Sequence, residues 1–113
     1  MIDHPKIMEY ANKAFGRFGK TLPKTMAAFG QLQKATFQDG ALDIKTKELI
    51  ALGISVAEGC DGCMAYHNAA LLELGASRDE VAEAVGVAVE MGGGVALYSA
   101  VKALDGFDQL AAA

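Results

Sequence analysis

Residues 49–57 carry no charge at all, and they continue a segment that reads as the start of a helix, with Asp43 as its cap and Ile44 as its first apolar position. A helix without a charged side cannot lie against water along its length, so it has to be surrounded. That requirement constrains the whole fold, because the other elements must pack around a central, fully enclosed helix over about residues 44–57. Its last charged residue is Glu48, which shares a ridge with Ile44 and Leu52 and therefore turns toward the interior.

The rest of the chain supplies helices to do the surrounding. Every segment longer than eight residues fits a 3.6-residue period better than alternation, Ala is abundant, and Thr, Val and Ile are not clustered as strands require. The predicted class is all-α, with about six helices. The first spans residues 4–17, with Ile7, Tyr10, Ala11, Ala14 and Phe18 as its apolar face, and ends around Gly16 to Gly19; the second starts after Thr21 with Pro23 in its first turn and turns Met26, Phe29, Leu32 and Phe37 inward. Asp39-Gly40 marks a turn. The fourth helix begins at the cysteines and ends at Gly75. Ser77 and Glu80 form a capping box that opens a fifth helix reaching about Met91. Gly92-Gly93-Gly94 then breaks or bends the chain before a sixth helix over residues 95–104 and an Ala-rich tail expected to fray.

The 113 residues suffice for a single domain over 1–113. Hydrophobic residues make up 52% and charged residues only 21%, more apolar surface than a small isolated domain buries, so a homo-oligomer is expected. Net charge is −4 with Lys and Arg scattered, which argues against a nucleic-acid or anionic-membrane partner. The weakly polar stretch 81–101 contains Glu83 and Glu90, and two carboxylates near mid-bilayer argue against a membrane span. The first residues, Met1-Ile2-Asp3-His4-Pro5, carry an early acid and no apolar segment, so no secretory signal is read and a cytoplasmic location is expected. His4 is expected to be an exposed terminal residue.

Both cysteines and one of the two histidines fall within eight residues, as Cys60, Cys63 and His67. On a helix they share one face, continued by Leu71 and Leu74, and so point into packing. In a reducing compartment such a pair points to catalysis, redox sensing or metal binding. Cys60 sits at a helix N-terminus, where unpaired amides and the helix dipole favour the thiolate, and Cys63 lies one turn in. Attack by one thiolate on a peroxide oxygen gives a sulfenic acid that the other cysteine resolves, and a donor dithiol completes the cycle by exchange. In this reading Cys60 attacks, Cys63 resolves, and His67 moves the protons. Asp61, between the cysteines, opposes the thiolate if its charge is near. The rival reading is a non-catalytic zinc-binding or redox-sensing module using Cys60, Cys63 and His67 with Glu48 as a fourth ligand; structural zinc sites usually show two paired ligand clusters, and only one is present. Haem attachment is excluded, since Met64 follows Cys63 where histidine is needed. No metal or other cofactor is predicted.

The order Glu48, eleven residues, Cys60, two residues, Cys63, three residues, His67 resembles the pattern of the AhpD-like alkylhydroperoxidases, within the wider carboxymuconolactone decarboxylase family. Residues 45–53 are also similar to that family's central helix, and the resemblance covers roughly residues 22–101. It implies an all-helical bundle assembled as a trimer or hexamer, with Glu48 and His67 as a proton relay to the CxxC pair. It further implies reduction of organic hydroperoxides or of a peroxiredoxin disulfide, with electrons from a dithiol donor such as a lipoylated or thioredoxin-like protein. Some members carry another histidine between the cysteines where this chain has Asp61-Gly62, so no step is assigned to that position. Members acting as lactone decarboxylases generally lack the CxxC, which argues against that activity.

Overall fold

The computed structural model describes residues 2–113 and resolves the chain into five helices: α1 (His4–Thr21), α2 (Pro23–Thr36), α3 (Ile44–Glu58), α4 (Asp61–Glu73) and α5 (Arg78–Ala112). No strand occurs among the described residues, so the fold is all-α. The starts follow local chemistry. Asp3 accepts from the Lys6 N–H with Pro5 in the first turn of α1, Asp43 accepts from the Thr46 N–H at 2.8 Å, and Ser77 and Glu80 cap α5 reciprocally. Between α3 and α4 the chain reverses in two residues. Gly59 takes φ 70°, a conformation that costs a glycine nothing, and its N–H returns to the α3 carbonyls.

The core lies where α3, α4 and α5 meet: Leu52 and Val56 from α3, Met64 and Leu71 from α4, Val81, Val85, Ala100 and Phe107 from α5. By length and composition α5 could cross a membrane; it gives one face to the core and is bent at Gly93, where φ is 71° and ψ −150°. The predicted sixth helix is the half of α5 beyond this bend. Packing α1 on α4 and α5 completes one side, while the α2 backbone, among the described helices, lies close to that of α1 alone and reaches α3 and α4 through side chains, as where Lys47 Nζ donates to the Thr36 carbonyl.

Several expectations are corrected. The uncharged helix is not fully enclosed: Leu52, Ser55 and Val56 are buried, but Ile50 and Ile54 are exposed along an apolar groove of about 420 Å³ between α3 and α5. Phe29 and Leu32 are 54% and 61% exposed instead of turned inward, because only α1 packs closely along α2; Tyr10, Phe18 and Leu74 are exposed as well. The first helix runs through Gly16 and Gly19 to Thr21, and the tail stays helical to Ala112.

His4 explains the ordered tail, and it is fully buried, not exposed. Its backbone N–H donates to Gln109 Oε1 at 2.9 Å, and Gln109 Nε2 donates to the Ile2 carbonyl at 2.7 Å. The ring lies where a side chain on residue 106 would stand, so only glycine fits there. Asn68 Nδ2 donates to the Ala103 carbonyl at 2.8 Å and reaches His4 Nδ1 at 3.4 Å. Burial lowers the His4 pKa from its ordinary value of 6.5, with Asp61 and Asp3 opposing the shift and Lys102 adding to it. The unfolded chain therefore takes up a proton that the folded chain refuses as pH falls below about 6.5. Stability is expected to be intact above that pH and to decline beneath it. Urea unfolding at pH 7.5 and 5.5 checks this: His4→Asn should show the smaller loss on acidification, and equal losses would remove His4 as a cause.

Candidate functional site

Glu48 lies on the buried ridge of α3, as its register with Leu52 requires. A buried carboxylate needs a donor, and α4 supplies one across the helix pair: His67 Nδ1 stands 2.9 Å from Glu48 Oε1. With Glu48 as acceptor, Nδ1 is the donor of this pair and Nε2 is the ring nitrogen that the pair leaves free. Phe37 and Tyr66 hold the imidazole between them, each ring centroid 5.9 Å from it, the second edge-on.

Cys60 caps α4. Its Sγ accepts from the Cys63 N–H at 3.1 Å, and its own N–H is tied to the Ser55 carbonyl. The two cysteines are joined in a disulfide, with Cα atoms 5.2 Å apart. If this bond opens, the sulfur of Cys60 is left on a helix N-terminal amide, a setting that favours the thiolate. Among the described residues no three His, Cys, Asp or Glu side chains converge as a metal ion would require.

A pocket of about 240 Å³ opens onto Cys63 and His67, walled by Phe15 of α1 and by Met26, Phe29 and Gln33 of α2. Cys60 does not line it. Tyr66 forms part of its wall. Glu48 borders an adjoining cleft that shares Gln33, Tyr66 and His67 with this pocket, so His67 lines both. Glu58 is exposed at the end of α3 and touches none of this.

The charge between the cysteines has a partner that sequence reasoning missed. Lys102 Nζ lies 2.8 Å from Asp61 Oδ1 and 5.3 Å from the centre of the Tyr98 ring. Its signal was legible as the lone charged residue between Glu90 and Asp105. Removing Lys102 would leave Asp61 uncompensated in the first turn of α4, beside both sulfurs. Lys102→Met is expected to slow alkylation of the reduced cysteines at pH 7 roughly threefold to tenfold, as a thiol pKa raised by half a unit to one unit would do. The double variant Lys102→Met/Asp61→Asn should recover most of the loss; no change in the single variant would show that the pair does not act on the thiols.

All four sequence-predicted residues thus stand together at the junction of α3 and α4. The wall from α1 and α2 has no local sequence signal, since those helices reach the site only through tertiary packing.

The profile of the carboxymuconolactone decarboxylase family matches residues 23–106, a span that includes Glu48, Cys60, Cys63 and His67. An uncharacterized protein of Cupriavidus necator is 43% identical over 99 residues, 88% of either chain. Uncharacterized protein 4 in the cox locus of Paracoccus denitrificans is 36% identical over 103 residues, 91% of this chain and 93% of the other. Among solved structures, the apo form of a carboxymuconolactone decarboxylase family protein from Legionella pneumophila superposes with a TM-score of 0.92 at 41% identity, covering 95% of this chain and 96% of that one. A family protein from Thermotoga maritima, described with a suggested involvement in antioxidative response, gives 0.84 at 30% identity over 95% and 91%.

Proposed function

The chain belongs to the carboxymuconolactone decarboxylase family, and from that premise we propose that it is a thiol-dependent peroxidase or disulfide reductase of the AhpD type. One observation carries the reading: a disulfide whose Cys63 shares a pocket with an imidazole held by a buried carboxylate.

In the reduced protein the Cys63 thiolate attacks the terminal oxygen of a hydroperoxide. The O–O bond breaks, His67 protonates the departing alkoxide, and Cys63 becomes a sulfenic acid. The Cys60 thiolate then attacks the Cys63 sulfur, the hydroxide leaves as water with a proton from His67, recharged from solvent, and the disulfide closes. A donor dithiol attacks Cys63 and releases Cys60 as a thiolate, which its place on the helix amide makes the better leaving group; the second donor thiol resolves the mixed disulfide. The sum is one hydroperoxide and one dithiol converted to alcohol, water and a donor disulfide. Glu48 orients the imidazole and balances its charge. This order exchanges the two cysteine roles expected from helix position alone, because the pocket meets Cys63 and not Cys60.

The antioxidative description of the Thermotoga relative agrees with this reading. A zinc module is less favoured, since joined sulfurs offer no thiolate to a metal. The exposed apolar groove between α3 and α5 favours a homo-oligomer, and the family resemblance implies a trimer or hexamer.

The test is direct. Reduced protein given one equivalent of cumene hydroperoxide should lose two hydrogens by mass spectrometry, with Cys60 and Cys63 linked, and dihydrolipoamide should restore them through repeated turnovers. Cysteines that stay reduced would overturn the reading, while oxidation without turnover would favour a sensor.

A further inference from the structure

The pocket at Cys63 does not end at Phe15, Met26 and Phe29. The same three side chains wall a second cavity of about 550 Å³ that runs between α1 and α2 as far as Phe18 and Tyr10. The two adjoin across these side chains, and polarity falls from the first to the second. At the sulfur end stand His67 and Gln33, and beyond them the lining is aromatic and aliphatic apart from Thr25, without a charged group. At the mouth Gly62 adds no bulk, and a Cβ there would meet nothing within 4 Å. Hydrogen peroxide has no use for an apolar path of this length. A hydroperoxide on a long hydrocarbon chain does, with its –OOH at Cys63 and His67 and its chain laid along the aromatic walls.

We propose that the α1–α2 trough is a tail-binding subsite for long-chain, lipid-type hydroperoxides, with Phe15 and Phe29 as its specificity-determining walls. The proposal rests on the peroxidase reading for its chemistry, which is the reaction written above with a long-chain R group. Each methylene carried from water into the trough should tighten binding roughly threefold to fourfold.

Turnover with dihydrolipoamide is compared for hydrogen peroxide, tert-butyl hydroperoxide and linoleic acid hydroperoxide, the last below its micellar concentration. KM should fall by about 10²-fold or more along that series while kcat changes little, since the added binding is uniform. In Phe29→Ser the preference for linoleic acid hydroperoxide over hydrogen peroxide, as a ratio of kcat/KM, should shrink about tenfold. Independently of any reaction, calorimetric titration of the oxidised protein with 1-hexanol, 1-octanol and 1-decanol should show binding that tightens about tenfold per two carbons. A flat KM series overturns the subsite. So does the absence of alcohol binding, as would follow if a second copy of the chain fills the trough. If no hydroperoxide reacts at all, the peroxidase reading has failed, and the alcohol titration alone decides the trough.

Discussion

Replacing Cys63 by serine should abolish hydroperoxide turnover, a loss of about 10³-fold or more, because a hydroxyl cannot be oxidised to a sulfenic acid or enter a disulfide. The partner variant is expected to behave differently. In Cys60→Ser the sulfur that faces the pocket is still present, so one hydroperoxide should be consumed per chain and the reaction should stop at the Cys63 sulfenic acid. Dimedone labelling read by mass spectrometry separates the two: an adduct on Cys63 in Cys60→Ser, and little labelling in Cys63→Ser. The physical basis is access. Cys60 is engaged as the cap of α4 and does not line that pocket, whereas Cys63 and His67 open onto the same 240 Å³. If Cys63→Ser labels rapidly at Cys60 and Cys60→Ser does not label at Cys63, the order of the two sulfurs is the reverse.

Glu48→Gln should slow oxidation of the reduced pair by about 10²-fold, the lower range for loss of an assisted proton transfer. Glutamine fills the same volume and its carbonyl can still accept from His67 Nδ1–H, so the ring keeps its place across the 2.9 Å contact. What disappears is the charge that stabilises the imidazole while it holds the proton bound for the alkoxide. Single-turnover kinetics by stopped flow measures the effect, and a thermal melt of the same sample establishes that the fold survives. A variant as fast as wild type would reduce Glu48 to a packing residue and leave the cysteine chemistry standing.

Much of this arrangement is legible from local rules. Asp43, Ser77 with Glu80, and Gly59 mark helix ends because caps and positive-φ turns are settled within a few residues. The inward turn of Glu48 follows from sharing a ridge with Leu52, and the common face of Cys63 and His67 from their spacing on one helix. Other features were not legible. His4 reads as a terminal polar residue until Gly106 and Gln109, more than a hundred residues away, enclose it. Phe29 reads as core by its period, yet the α2 backbone packs closely on α1 alone and leaves Phe29 half exposed. The uncharged α3 asks to be surrounded, and the described chain covers one side of it.

By itself, then, the sequence determined the all-α class and most helix starts and singled out Glu48, Cys60, Cys63 and His67 as candidates, since each depends on contacts a few residues apart or on a pattern with fixed spacing. Only the tertiary structure decided that Glu48 meets His67, that Lys102 neutralises Asp61, and that Phe15, Met26 and Phe29 bring an apolar path to Cys63 and not to Cys60. The reason is physical: periodicity says which face of a helix seeks a partner, but which faces meet is settled by how all five helices share a limited supply of apolar surface.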